Sequence, residues 1–232
     1  MCWHYGGDPG LLFFVLPALA FSLYAQARVS AAVRRYSRMM SSVGRTGAQV
    51  AVELLRRAGV LGVRVSRTPG KLSDRYDPRR RVVRLSPAVH DGFFVAALGV
   101  AAHEVGHAIQ RAVGYGPLVL RNGLAPAVGF GSQLAVPLFF LGLVFSWDPL
   151  LNLGLLLMLG VVAFAVVTLP VEYDASNRAL AELEAGGYLR TEEEVKAVRA
   201  VLSAAALTYV AALAVALAQL LRMLLLARSR RD

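Results

Sequence analysis

His103-Glu104-Val105-Gly106-His107 sets two imidazoles four residues apart, with a carboxylate directly after the first. Helix formers flank the motif, Phe93 to Ala102 before it and Ala108 to Ala112 after, so a helix is predicted here. Residues four apart share a helix face, and both rings can reach one metal ion. Glu104 points about 100° away and can serve an attacking water as a general base. Zinc suits such a site, because it accepts imidazole nitrogen and leaves a position open for chemistry. The competing reading is a chance match on a buried helix. Three ionisable side chains in an otherwise apolar helix weigh against it, since burying them without a compensating partner is costly.

A hydrolytic zinc needs a third protein ligand. The chain has only His4, His90, His103 and His107. One zincin class places a glycine and a histidine three and six residues after the second motif histidine; here those positions are Gln110 and Val113, which excludes it. His90 reads as a surface or substrate-side residue. The best candidate is Glu172, at the expected start of a helix in Pro170-Val171-Glu172-Tyr173-Asp174-Ala175-Ser176-Asn177-Arg178. A simple capping carboxylate would look the same, and Asp174, Glu182 and Glu184 are rivals. The run Glu192-Glu193-Glu194 reads as a solvated helix face.

These groups need elements that hold them. Of the 232 residues 56% are hydrophobic, the formal net charge is +10 and the mean hydropathy is +0.54. That balance is too apolar for an ordinary soluble domain and points to a lipid bilayer. One cysteine, Cys2, excludes an internal disulfide framework and any cysteine-based zinc site. The basic charge does not form a stripe interleaved with aromatics, so a nucleic-acid partner is not expected. Arginines flank apolar segments instead.

Four apolar segments are candidate spans: Leu11–Ala27, Leu124–Phe145, Leu150–Leu169 and Val201–Leu221. A cleaved signal peptide is the alternative for the first, but residues 1–10 carry no Lys or Arg. The second and third form a hairpin through Ser146-Trp147-Asp148-Pro149, so Glu172 emerges on the side that carries His103 and His107. The expected organisation is an anchor at 1–27, a catalytic region at 28–123, the hairpin at 124–169, a third-ligand helix at 170–200, and an apolar helix with a basic tail at 201–232. Eleven Lys and Arg residues flank the spans on the motif side and four occupy the tail opposite. The motif side is thus expected to face the cytoplasm of a bacterial cell. The tail conflicts with that rule unless the fourth segment is only half-embedded.

Residues 28–123 can fold in water. Thr46-Gly47-Ala48-Gln49 reads as a capping box opening a helix through Arg57. Val63–Arg67 and Arg81–Ser86 read as strands, Asp74–Pro78 as a loop, and Asp91-Gly92 as the cap of the motif helix. Arg81–Ser86 is a plausible edge for an extended substrate to pair with.

Four stretches resemble the membrane-bound neutral zinc metallopeptidases of the YugP type: Leu72–Arg79, Val82–Ser86, Val100–Gln110 and Leu169–Ser176. The resemblance covers most of the chain. It implies a zinc endopeptidase fold related to the HtpX and Ste24 kind, in which a Glu-x-x-Ala-Asp motif after a transmembrane hairpin supplies the third ligand. Glu172 and Ala175 match that motif, while Ser176 stands in place of the aspartate. The expectation is therefore a mainly α integral membrane protein, with about four transmembrane helices and a small α+β zincin-like catalytic region at the membrane surface. Zinc would be held by His103, His107 and Glu172, with Glu104 as base. Tyr76, His90, Tyr173 and Arg178 are candidate oxyanion donors, and Asp174 and Ser176 candidate supports of the site. The expected partner is a polypeptide, in particular a membrane protein. A membrane zinc hydrolase acting on a lipid or small amide, and a catalytically silent scaffold, are the alternatives.

Overall fold

Thr46 opens the helix Gly47–Arg57 as its sequence dictates. Its hydroxyl accepts from the Gln49 amide (3.2 Å), and the Gln49 side chain accepts from the Thr46 amide (3.0 Å). In the computed structural model, which describes residues 10–230, a short π-helical turn (Leu11–Val15) leads into α1 (Leu16–Tyr36). Then come α2 (Gly47–Arg57), β1 (Arg64–Arg67), β2 (Arg75–Asp77), β3 (Val82–Leu85) and α3 (Pro87–His90). The motif helix α4 (Val95–Ala112) follows, then three long helices, α5 (Gly116–Val144), α6 (Asp148–Ala185) and α7 (Glu192–Ser229). Contacts divide the described chain into two units.

One unit holds residues 27–119 and 170–207. Its sheet has the order β1-β3-β2, with β1 parallel and β2 antiparallel to β3. The stretch expected as a loop before Pro78 thus contains β2. It also means that β3, within the segment expected to offer a substrate edge, is the central strand, with both of its hydrogen-bonding sides taken. The edges belong to β1 and β2. Val83 and Leu85 of β3, Val50, Ala51 and Leu54 of α2, and Leu98, Ala101 and Val105 of α4 share one core with Leu183 and Val198. Burial of this apolar area, at about 25 cal/mol per Å², holds the unit together.

Two sequence expectations fail here for traceable reasons. Asp91 does not cap α4, whose N-cap is Phe94; the Asp91 carboxylate is engaged by His90 (2.6 Å) and Arg67 (3.0 Å). Glu194 is not on a solvated face but only 2% exposed. Its carboxylate accepts from the Ser42 amide (2.8 Å) and hydroxyl (3.0 Å) and from the Arg190 amide (2.6 Å). A buried carboxylate is tolerable when donors surround it, and this one ties the start of α7 to the chain after α1.

The other unit holds residues 10–26, 120–169 and 208–230. Among the described residues, four helices are long and apolar enough to cross a membrane: Leu11–Tyr36, Gly116–Val144, Asp148–Ala185 and Glu192–Ser229. The protein is a mainly helical integral membrane protein carrying one small sheet. Pro126 and Pro137 lie inside α5 without ending it. The α5–α6 hairpin closes backbone to backbone: a Cβ on Gly154 would come 2.6 Å from the Phe139 nitrogen, and one on Gly142 would come 2.3 Å from the Leu151 nitrogen. Small residues at such crossings let helices meet in lipid, where dispersion contacts replace the hydrophobic drive. Arg230, just past α7, reaches the Gly142 carbonyl (3.4 Å) and Asp148 (3.2 Å). Arg230 therefore lies at the hairpin turn.

The hairpin crossing sets a test. Gly154→Leu forces overpacking, which typically costs about 1–3 kcal/mol, and should lower the Tm of the detergent-solubilised protein by several degrees. Gly160→Leu, at a position where a Cβ meets nothing within 4 Å, should leave the Tm close to that of the parent. Equal Tm values for the two variants would contradict this packing.

Candidate metal centre

Two helices build the site, α4 and the C-terminal half of α6. Helical spacing puts His103, Gly106, His107 and Gln110 on one stripe of α4, and that stripe faces α6. The two imidazoles stand edge to face, 4.7 Å between ring centres. Glu172 lies between them: its Oε2 is 3.2 Å from His103 Nε2 and 3.5 Å from His107 Nε2. One donor atom from each of the three residues falls within 4.8 Å of the others. A tetrahedral ion with bonds of ~2.1 Å separates its ligand atoms by roughly 3.4 Å, so the donor set has the chemistry and spacing that zinc takes.

Close approach of the helices makes this possible. A Cβ on Gly106 would lie 2.5 Å from the Ala175 carbonyl oxygen, so the α4 and α6 backbones touch one residue before His107. Glu172, expected at the start of a helix, instead sits well inside α6, which runs unbroken through Pro170. Asn177 and Arg178 continue it, so the carboxylate is held by a rigid rod and is not a helix cap.

The Nδ1 atoms face away from the cluster and are held. His107 Nδ1 is 2.9 Å from Gln110 Oε1. The Gln110 amide nitrogen donates to the Val171 carbonyl (2.7 Å) and to Asp174 (2.8 Å), both pure acceptors. Gln110 must therefore turn its oxygen to His107, which protonates Nδ1 and leaves Nε2 for a ligand. Arg178 in turn holds Asp174 (2.7 Å). Ser176 Oγ lies 3.2 Å from His103 Nδ1, so the serine at the expected aspartate position does meet a motif histidine, through a neutral hydroxyl. Gln110 is the residue that sequence reasoning missed. Its signal was its position three residues after His107, on the same helix face.

Glu104 is buried on the neighbouring stripe. Burial pushes its carboxyl above the ordinary carboxylate range, and the charges of His103 and His107 oppose the rise. For His107, burial favours the neutral ring. The hydrogen bond to Glu172 and the charge of Glu104 outweigh that and raise its pKa. Among the remaining candidates, Arg178 is committed to Asp174 and stacks near the Tyr115 ring (6.0 Å). His90 binds Asp91 and stands apart from the cluster, and Tyr173 is 47% exposed. Tyr76 lines a cavity beside the C-terminal half of α4.

Metal retention tests the role of Gln110. Gln110→Leu fills the same space without an acceptor for His107 or a donor for Asp174. Loss of such a partner typically costs 10–100-fold in metal affinity, so zinc competition titration of the variant should show a drop of about that size. Parent-like affinity would mean that the His107 orientation does not depend on Gln110.

The family described as "putative neutral zinc metallopeptidase" matches residues 11–228. A relative from Bacillus subtilis (strain 168), described as "Putative membrane protease YugP", is 44% identical over 221 residues, which is 95% of this chain and 98% of that protein. No solved structure matches. With a family match over nearly the whole chain and His103, His107 and Glu172 gathered between two helices, this protein belongs to the neutral zinc metallopeptidase family.

Proposed function

We propose that this protein is a membrane-embedded zinc endopeptidase, with zinc held by His103, His107 and Glu172 and with Glu104 as general base. The observation that carries the reading is the meeting of Glu172 with both motif imidazoles, 3.2 and 3.5 Å away, with the Glu104 carboxyl buried alongside. A zinc ion bound there supplies Lewis-acid polarisation of the substrate carbonyl and eases deprotonation of water. Glu104 takes the proton of the attacking water and delivers it to the leaving amine, a role favoured by the burial that raises its pKa. Gln110 keeps the His107 imidazole in the tautomer that presents Nε2, and the Ser176 hydroxyl lies against Nδ1 of His103.

The substrate class follows from the chain's connectivity. The apolar run of α6 ends at Leu169, three residues before Glu172 on the same helix. Peptide bonds of membrane proteins, near where they leave the bilayer, are therefore the substrates we assign. The arginine distribution around the spans supports a cytoplasmic active site.

Glu104→Gln should keep zinc and the parent Tm and lose ~10²–10⁴-fold in peptide hydrolysis. Near-parental turnover would remove Glu104 from the mechanism. Chelation should abolish hydrolysis, and zinc should restore it. Zinc and protons compete for the same nitrogens. Because the His107 pKa is raised in the metal-free protein, zinc affinity should begin to fall on acidification above the ordinary histidine range near 6.5. Zinc affinity flat from pH 8 to 5.5 would exclude ligation through His107.

A further inference from the structure

A cavity of about 530 Å³ opens beside the C-terminal half of α4. Ala108 and Arg111 contribute to its wall, and they share a helical stripe with Glu104 at i, i+4 and i+7. At 1.5 Å rise per residue the cavity lies roughly 6–10 Å along the helix from the base. The rest of the wall includes Tyr76 of the edge strand β2, Arg81, and the apolar side chains of Val60 and Leu61. The lining is thus apolar with two guanidinium groups and a phenol, a composition suited to an anion carried on a carbon chain.

The two arginines are uncommitted. Among the described residues neither Arg81 nor Arg111 forms an ion pair. The neighbouring acid, Asp77, is occupied by the Arg79 and Arg80 amides (both 3.1 Å) and by Arg84 (3.7 Å). Burial pushes the Tyr76 hydroxyl above its ordinary range, and the charges of Arg111 and Arg81 oppose the rise, which places both cations near the phenol. Arg81 also holds a left-handed backbone (φ 50°) that glycine adopts at lower cost, so this position supplies a side chain despite the strain.

We propose that this cavity is a substrate subsite for a peptide carboxylate, either an acidic side chain or a free C-terminus, about two to three extended residues from the scissile bond. The subsite rests on the endopeptidase reading above and adds an anionic preference to it. Arg81 and Arg111 bind the carboxylate, Tyr76 donates to it, and Val60 and Leu61 cover the carbon chain that bears it.

The test uses the full-length zinc-loaded protein in phosphatidylcholine nanodiscs. Quenched peptides carry Asp or Glu, or their amides Asn or Gln, at each position flanking the cleaved bond, with amidated ends. A second set is neutral with a free C-terminus. At one position the acidic peptide should exceed its amide counterpart in kcat/KM by about tenfold or more. Preference confined to the second set assigns the site to the C-terminus. Arg111→Glu should reverse the preference toward Lys at that position, a gain that a misfolded protein cannot show. Anisotropy of labelled peptides on Glu104→Gln provides a readout without turnover. If no peptide is cleaved, the endopeptidase reading fails, while a carboxylate preference in binding that Arg111→Glu reverses keeps the subsite. Cleavage with equal rates for acid and amide at every position and equal rates with free or amidated ends overturns the subsite alone. A preference lost when phosphatidylglycerol replaces phosphatidylcholine assigns the cavity to lipid phosphate and also overturns it.

Discussion

The contact between Gly106 on α4 and Ala175 on α6 is the constraint on which the site depends. A side chain at position 106 would collide with the Ala175 carbonyl. Without one, the two backbones meet, and the groups on either side of the contact fall within reach of each other. His103 and His107 flank Gly106 in sequence; Glu172 and Ser176 flank Ala175. Van der Waals contact of two helices at one point brings four polar side chains together, and a rigid rod on each side keeps them there.

Placing those groups in an apolar interior is tolerable because each has a partner. The His107 ring leans on Gln110, Gln110 on the Val171 carbonyl and on Asp174, and Asp174 on Arg178. That chain runs outward from a buried ring to an arginine near the surface, so the charge needed to balance Asp174 sits where water can reach it. Buried polar networks of this kind are favourable when every member is satisfied and costly when one is not. Glu194 follows the same rule at the start of α7, where the Ser42 amide and hydroxyl and the Arg190 and Thr191 amides stand around a carboxylate that local patterning would leave in solvent.

Unit by unit, the chain uses two kinds of packing. The unit that holds the sheet has a core of leucine, valine and alanine from α2, β3 and α4, sealed by apolar burial. The helical unit relies on close approach, as Gly142 and Gly154 show. In lipid the surroundings are as apolar as the interior, so complementarity of shape has to hold what hydrophobic burial holds elsewhere.

What the amino-acid sequence determined by itself was local. The His-Glu-x-x-His spacing, the capping box at Thr46 and the four apolar runs each depend on neighbours within a turn or two, and all were legible. So was Glu172 as the partner of the histidines, which it meets at 3.2 and 3.5 Å. The tertiary structure decided what depends on residues distant in sequence. Pro170 does not interrupt α6, which runs unbroken from Asp148 to Ala185. β3 became the central strand once β2, too short to read, paired with it. Glu194 went inside because Ser42, 152 positions away, supplied donors. Gln110 acquired its role only when α6 offered it a carbonyl and a carboxylate. Periodicity records which face of an element is apolar, and only the assembled fold records which other element that face will meet.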